Sequence, residues 1–380
     1  MSHFLFVTWD GGGNVPPALA TATALRERGH TVRVLGHASQ RAATARDGLE
    51  LTAYRQARSR AFDGTRASSL PQLVSLFTDG GMGPDPLDEV QRRPPDLVVV
   101  DCLLAGVLAA ARRHGLRYAT FEHLFDGYLR GGWLHGPIGL AARAKGLRPV
   151  TGWDAAVVAV VATLPSLDPG HAPASSGNRR WSGPVVEDAP AAAKDWSRQQ
   201  AAVLVSLSTF GFPGMTEVLQ RVLDAVAGLD ARVVVTTGPV VEPGELRAPA
   251  GVEVHRYVDH TTLMPSASLV VGHGGHATTM RALAHDLPLL VLPMHPMVDQ
   301  PVVGRRVQAA GAGRLLPRRS PARELRAAIE VLLADGPHRA AAARLGAEIR
   351  HCSGRAAAAD ALEAAITAPA VDSGRPDPSW

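Results

Sequence analysis

The chain has 380 residues, is 46% hydrophobic and 19% charged, and carries a formal charge of only +4. That length holds two domains of ordinary size, and no basic tract interleaved with aromatics points to nucleic acid. The two cysteines, Cys102 and Cys352, lie far apart without paired-cysteine or metal-ligand spacing, as expected of thiols in a reducing cytosol.

His3 to Asp10 reads as an apolar strand. No basic segment with a signal-length apolar core precedes it, and no apolar run reaches about 18 residues, so a cytoplasmic protein without a membrane span is expected. Gly11-Gly12-Gly13-Asn14 follows, with Pro16-Pro17 at a helix start. Leu19, Ala22 and Leu25 share one helix face, Gly29 ends the helix, and Thr31 to Leu35 is the next strand. The glycine loop is not a dinucleotide fingerprint. Pro16 takes the place of its last glycine, and Gly36-His37-Ala38-Ser39 after the second strand offers no acid for a ribose. Residues 57 to 90 read as a variable loop or a pair of short helices. Asp96 to Asp101 and Tyr118 to Phe121 are strands, the second running into Glu122-His123. Gly127 to Arg148, with Trp133 and His135, is Gly-rich and amphipathic, and residues 169 to 182 have loop composition.

After the Pro/Ala linker Glu187 to Ala193 the pattern restarts. Ala201 to Leu207 is a strand ending in Ser208-Thr209, and Val218, Leu219, Val222, Leu223, Val226 and Leu229 form one helix face. Arg232 to Thr236 and Val252 to Val258 are strands. Leu269–Val271, a Gly-rich turn, a helix from near Ala277 and the run Leu287–Leu292 make a βαβ unit. Ser320-Pro321 caps a helix through about Leu333, and two Ala-rich helices reach about Thr367. The N–H groups of Gly275 to Thr279 would point from a helix N-terminus and suit a phosphate. His273 and the hydroxyls of Thr278 and Thr279 add donors, and Asp299-Gln300 at the next strand end would accept hydroxyls. Phosphate donors facing hydroxyl acceptors describe a sugar phosphate ester site.

His-x-Gly at 273–275, the two threonines, the Leu292-Pro293 strand end, Asp299-Gln300 and the closing Gly311-Ala312-Gly313 resemble the donor signature of the family 1 glycosyltransferases. The resemblance implies a GT-B fold, α/β, with two Rossmann-like domains facing a central cleft. Residues 1–185 would bind the acceptor, 186–197 link, 198–350 bind the nucleotide-sugar, 351–368 form a C-terminal helix, and 369–380 a mobile tail. It implies an inverting transferase of natural-product or antibiotic biosynthesis. Such an enzyme moves a sugar or deoxysugar from a dTDP or UDP donor to a small hydrophobic acceptor. Ser208, Thr209, His273, Gly275, Ala277, Thr278 and Thr279 would hold the diphosphate. Tyr257, Val258 and His260 would hold the base, and Asp299 and Gln300 the sugar. Arg281 stands where many relatives have a ribose-binding glutamate, which favours a thymidine donor. No metal or cofactor is expected, and a homodimer is compatible with the pattern.

One position departs sharply. Asn14 replaces the family's catalytic histidine, although Asp101 matches the acid that orients it, and a neutral amide cannot take a proton. Another base (Asp101 or His123), an acceptor that needs none, or loss of activity would each account for Asn14. A nucleotide-sugar epimerase of the same fold and a silent partner of another glycosyltransferase are the alternatives.

Overall fold

A computed structural model describes residues 1–62, 70–172, 177–196 and 201–368. The tail from 369 onward lies outside them, as do parts of the variable segment, the 169–182 stretch and the linker end.

Two parallel sheets organise the chain. The first contains β1 (His3–Val7), β2 (Thr31–Gly36), β3 (Glu50–Ala53), β4 (Leu97–Asp101), β5 (Tyr118–Glu122), β6 (Ala159–Val161) and β7 (Arg179–Trp181), in the order β3-β2-β1-β4-β5-β6-β7. The second contains β8 (Ala202–Ser206), β9 (Arg232–Thr236), β10 (Val252–His255), β11 (Leu269–Gly272), β12 (Leu289–Val291) and β13 (Gly313–Leu315), in the order β10-β9-β8-β11-β12-β13. Strands such as LVVVD in β4 are buried along their whole length, because helices cover both faces of a parallel sheet. Strand order reverses beside β1 and β4 in one sheet and beside β8 and β11 in the other. A crevice opens at the carboxyl ends of the strands at such a reversal. Those ends carry Trp9–Asn14, Asp101, Leu207–Thr209 and His273.

The chain's end returns to its beginning. Helix Gly354–Thr367 lays Ala358, Ala359, Leu362 and Ala365 into the core formed by β1, β4 and helix Val15–Glu27. Arg28 holds it by ion pairs to Asp360 (2.7 Å) and Glu363 (2.6 Å). Burying Leu362 alone contributes roughly 1.5–3 kcal/mol.

Several elements differ from the sequence reading. β7 falls within a stretch read as loop, and β3, β6 and β13 were not anticipated. Strands of three or four residues carry too little alternation to register, and they form only because a neighbour offers a ladder. β10 stops at His255, which puts Tyr257 in a loop, 75% exposed.

Candidate active site

One cavity of about 460 Å³ lies between the carboxyl ends of the two sheets, lined from both halves. At its N-terminal wall, the turn after β1 closes with Asn14 at the start of helix Val15–Glu27. The Asn14 amide is 3% exposed, and its polar atoms are engaged. Its oxygen accepts the Gly11 N–H (3.0 Å), and its NH₂ donates to Trp9 O (2.9 Å), Thr8 Oγ1 (3.4 Å) and Asp101 Oδ2 (3.0 Å). Asn14 thus braces the loop and the aspartate.

Asp101 ends β4, and its Oδ1 accepts the Leu103 N–H (3.0 Å). Oδ2 also faces His123 Nε2 at 3.3 Å, an ion-pair distance that is off line for a hydrogen bond. His123 follows β5, the strand beside β4, so adjacent parallel strands deliver both side chains to one point. Burial lowers the His123 pKa, but Asp101, and behind it Asp299 across the cleft, outweigh that and raise it. Asp101 and His123, which the sequence could offer only as alternatives, are thus brought together. Cys102 Sγ completes the one grouping with metal-ligand atoms among the described residues, all within 4.8 Å. Cys102 is fully buried, and burial with Asp101 and Glu122 nearby drives its thiol pKa up, which favours S–H over the thiolate a metal needs.

On the opposite wall helix His276–Ala284 begins behind Gly275, which must be glycine because a Cβ would lie 2.3 Å from the His273 ring. Gly275, Ala277 and Thr278 line the cavity with His273. Thr279 does not: it is 1% exposed, absent from the lining, and its N–H already closes the first helical bond to Gly275 O (3.0 Å). Its assignment to the diphosphate is corrected on that geometry. The free helix donors are the N–H groups of Gly275 to Thr278. His273 is kept neutral, its pKa lowered to about 4 by burial with a Leu207 backbone bond opposing, and Nδ1 has no partner. Ser208 and Thr209 flank this point on the turn after β8. Gly12, at φ +71°, comes so near Thr209 Oγ1 that a Cβ would be 2.8 Å away.

Tyr257, Val258 and His260 line the far end, with His260 Nε2 3.4 Å from Thr236 Oγ1. Arg281 also lines it, held by Asp188 of the linker at 2.8 Å. Asp299 reaches the cavity, and burial, opposed by His123, lifts its pKa to about 6. Gln300 is 3% exposed, and its oxygen accepts the Met294 (2.7 Å) and His295 (3.1 Å) N–H groups, leaving only its NH₂ end for a ligand. Trp9, Phe77, Tyr128 and Trp133 from the first half, with Phe210 and Phe212 from the second, give the cavity apolar walls in a chain only 5% aromatic. Exposed His135 is not among them.

Sequence reasoning missed two residues. Tyr128 Oη donates across the cleft to Met297 O (3.1 Å). His276 is 9% exposed, sits edge-on to Phe125 (4.8 Å between centroids), and has no partner for either nitrogen. Burial, then His123, lowers its pKa to about 3. Its spacing in His273-Gly274-Gly275-His276 was the available signal.

Residues 220–362 match the family described as erythromycin biosynthesis protein CIII-like, C-terminal domain. The chain is 28% identical to demethyllactenocin mycarosyltransferase of Streptomyces fradiae, over 97% of its own length and 87% of the relative's. It superposes on a calicheamicin glycosyltransferase with a TM-score of 0.77 at 22% identity, covering 96% of this chain and 98% of that one. A spinosyn rhamnosyltransferase complexed with thymidine diphosphate gives 0.67 at 22% identity, covering 96% and 100%. Among the described residues no helix is long and apolar enough to cross a membrane.

Proposed function

We propose that this chain, which has a GT-B fold and a C-terminal half similar to the CIII-like family, is a glycosyltransferase of the antibiotic type that inverts the transferred sugar's anomeric centre, with His123 as the base. One observation carries the reading. His123, backed by Asp101, and the His273 helix terminus face one cavity from opposite walls, as an in-line displacement needs.

His123 turns Nε2 to Asp101, so Nδ1 is the nitrogen left to take the acceptor's proton. Asp101 then stabilises the imidazolium that forms. The acceptor oxygen attacks the anomeric carbon, and the bond to the diphosphate breaks. Charge growing on that leaving group meets the N–H groups of Gly275 to Thr278, the positive helix end and the Thr278 hydroxyl, with His273, Ser208 and Thr209 beside them. These donors supply the stabilisation a metal would otherwise give, so no cofactor enters the scheme. Tyr257, Val258 and His260 hold the base, and Asp299 with the Gln300 NH₂ holds the sugar. The relative bound to thymidine diphosphate and the tie of Arg281 to Asp188 support a thymidine donor over a uridine one. The aromatic walls suit a small hydrophobic acceptor. No observation favours an epimerase or a silent partner.

The test pairs titration with thymidine and uridine diphosphates against kinetics of His123→Ala on an aliphatic alcohol acceptor. Thymidine diphosphate should bind more tightly, and the variant should keep nucleotide affinity while turnover falls about 10²–10⁴-fold. Unchanged turnover would remove His123 as the base.

A further inference from the structure

Asn14 stands where a catalytic group would be expected and lines the cavity, yet its amide is fully engaged with the protein. Its oxygen and both amide hydrogens are engaged, and it is 3% exposed. The oxygen to which it donates is informative. Asp101 Oδ2 lies 3.0 Å from Asn14 Nδ2 and 3.3 Å from His123 Nε2, while Oδ1 is held by the Leu103 N–H at 3.0 Å. The amide and the imidazole therefore share one carboxylate oxygen.

We propose that Asn14 is a positioning residue, whose amide fixes the Asp101 carboxylate toward His123 and limits the negative charge that His123 meets. The inference rests on the reading of His123 as base. The Asn14 amide is anchored independently of the pair, by Gly11 N–H and Trp9 O. Gly11 has no room for a side chain, since a Cβ would lie 2.4 Å from the Trp9 ring and 2.8 Å from Asn14 Oδ1. The loop thus sets the amide, the amide sets the carboxylate, and the carboxylate sets the histidine. Groups facing His123 from other elements are Asp299 and neutral His276 on the opposite wall and buried Cys102 beside Asp101.

The sign follows from charge. A hydrogen bond donated to a carboxylate draws on its negative charge, so losing the donor strengthens the pull of Asp101 on the His123 proton. Asn14→Ala should raise the His123 titration midpoint by about one pH unit. Asn14→Asp, which adds an anion beside Oδ2, should raise it further. Asn14→Ser, a smaller hydroxyl donor, should fall between wild type and Asn14→Ala.

The measurement is the histidine titration of the full-length protein by nitrogen-15 NMR, with the His123 signal assigned by its loss in His123→Ala. It needs no acceptor. Thymidine diphosphate binding checks that each variant is folded. The acid limb of the pH–rate profile should move with the NMR midpoint, and His123→Ala should lose turnover. An unmoved His123 midpoint in folded Asn14→Ala and Asn14→Asp would overturn the proposal and leave Asn14 as a loop brace. Should Asn14→Ala not fold, the Asn14→Ser and Asn14→Asp midpoints decide the matter alone. Full turnover by His123→Ala would overturn the base assignment instead, whatever the midpoints show.

Discussion

Replacing Glu122 by glutamine should remove a pH-dependent loss of stability. Glu122 ends β5 with 0% exposure, and neither carboxylate oxygen has a hydrogen-bond partner. Burial chiefly, then Asp126 and Asp168 against Arg130 and Arg179, raises its pKa to about 8 from 4.5. Between those values the folded protein holds a proton that the unfolded chain has released. Stability contributed by the neutral form is thus complete below about pH 4.5 and lost as pH rises through 8. A shift of this size corresponds to a loss on the order of 5 kcal/mol, from about 1.4 kcal/mol per pH unit. That is a large share of a typical domain's net stability. Glutamine has the same shape and does not ionise. Urea denaturation at pH 5, 7 and 9 should show the wild-type midpoint falling relative to Glu122→Gln, with the difference between the two growing by several kcal/mol. Parallel pH profiles for both proteins would refute the assignment of a neutral buried carboxyl. Because His123 follows directly, the wild type should also lose turnover at pH 9 where the variant retains it.

Gly274→Ala should destabilise the donor half by about 2–4 kcal/mol, because φ is +83° and the added Cβ would lie 2.9 Å from Gln300 O. Thermal melts would read this, and sugar-nucleotide affinity should fall with it as the Asp299-Gln300 turn shifts; a wild-type melt would contradict it. His276→Phe replaces an unpartnered buried imidazole with an apolar ring, so stability should hold or rise by about 1 kcal/mol near pH 7. Its pKa of about 3 means wild-type stability falls as pH drops below the unfolded value near 6.5, and the variant should lose that acid sensitivity. His273→Ala should lower turnover about 10²–10³-fold and weaken diphosphate binding with little change in melting; unchanged kinetics would sink its role.

The reading of two α/β halves came from the sequence because long apolar strands and amphipathic helices carry their period within a dozen residues. LVVVD of β4 and the face Val218, Leu219, Val222 needed no neighbour to be recognised. The turn that carries His273, Gly275 and Thr278 was legible for the same reason: the three lie within six residues, and local chemistry fixes their geometry. Three things required the tertiary structure. The meeting of Asp101 and His123 across 22 positions of chain depended on β4 and β5 being neighbours. Thr279 differs from Thr278 only by its 100° turn around the helix, which sends one hydroxyl to the cleft and the other into the core. Helix Gly354–Thr367 reads locally as a plain Ala-rich helix, and only the open face of the first core decided that it packs against residues more than 300 positions earlier. A side chain's type and its period are local properties. Its partner is set by the order of strands in a sheet, which no single segment encodes.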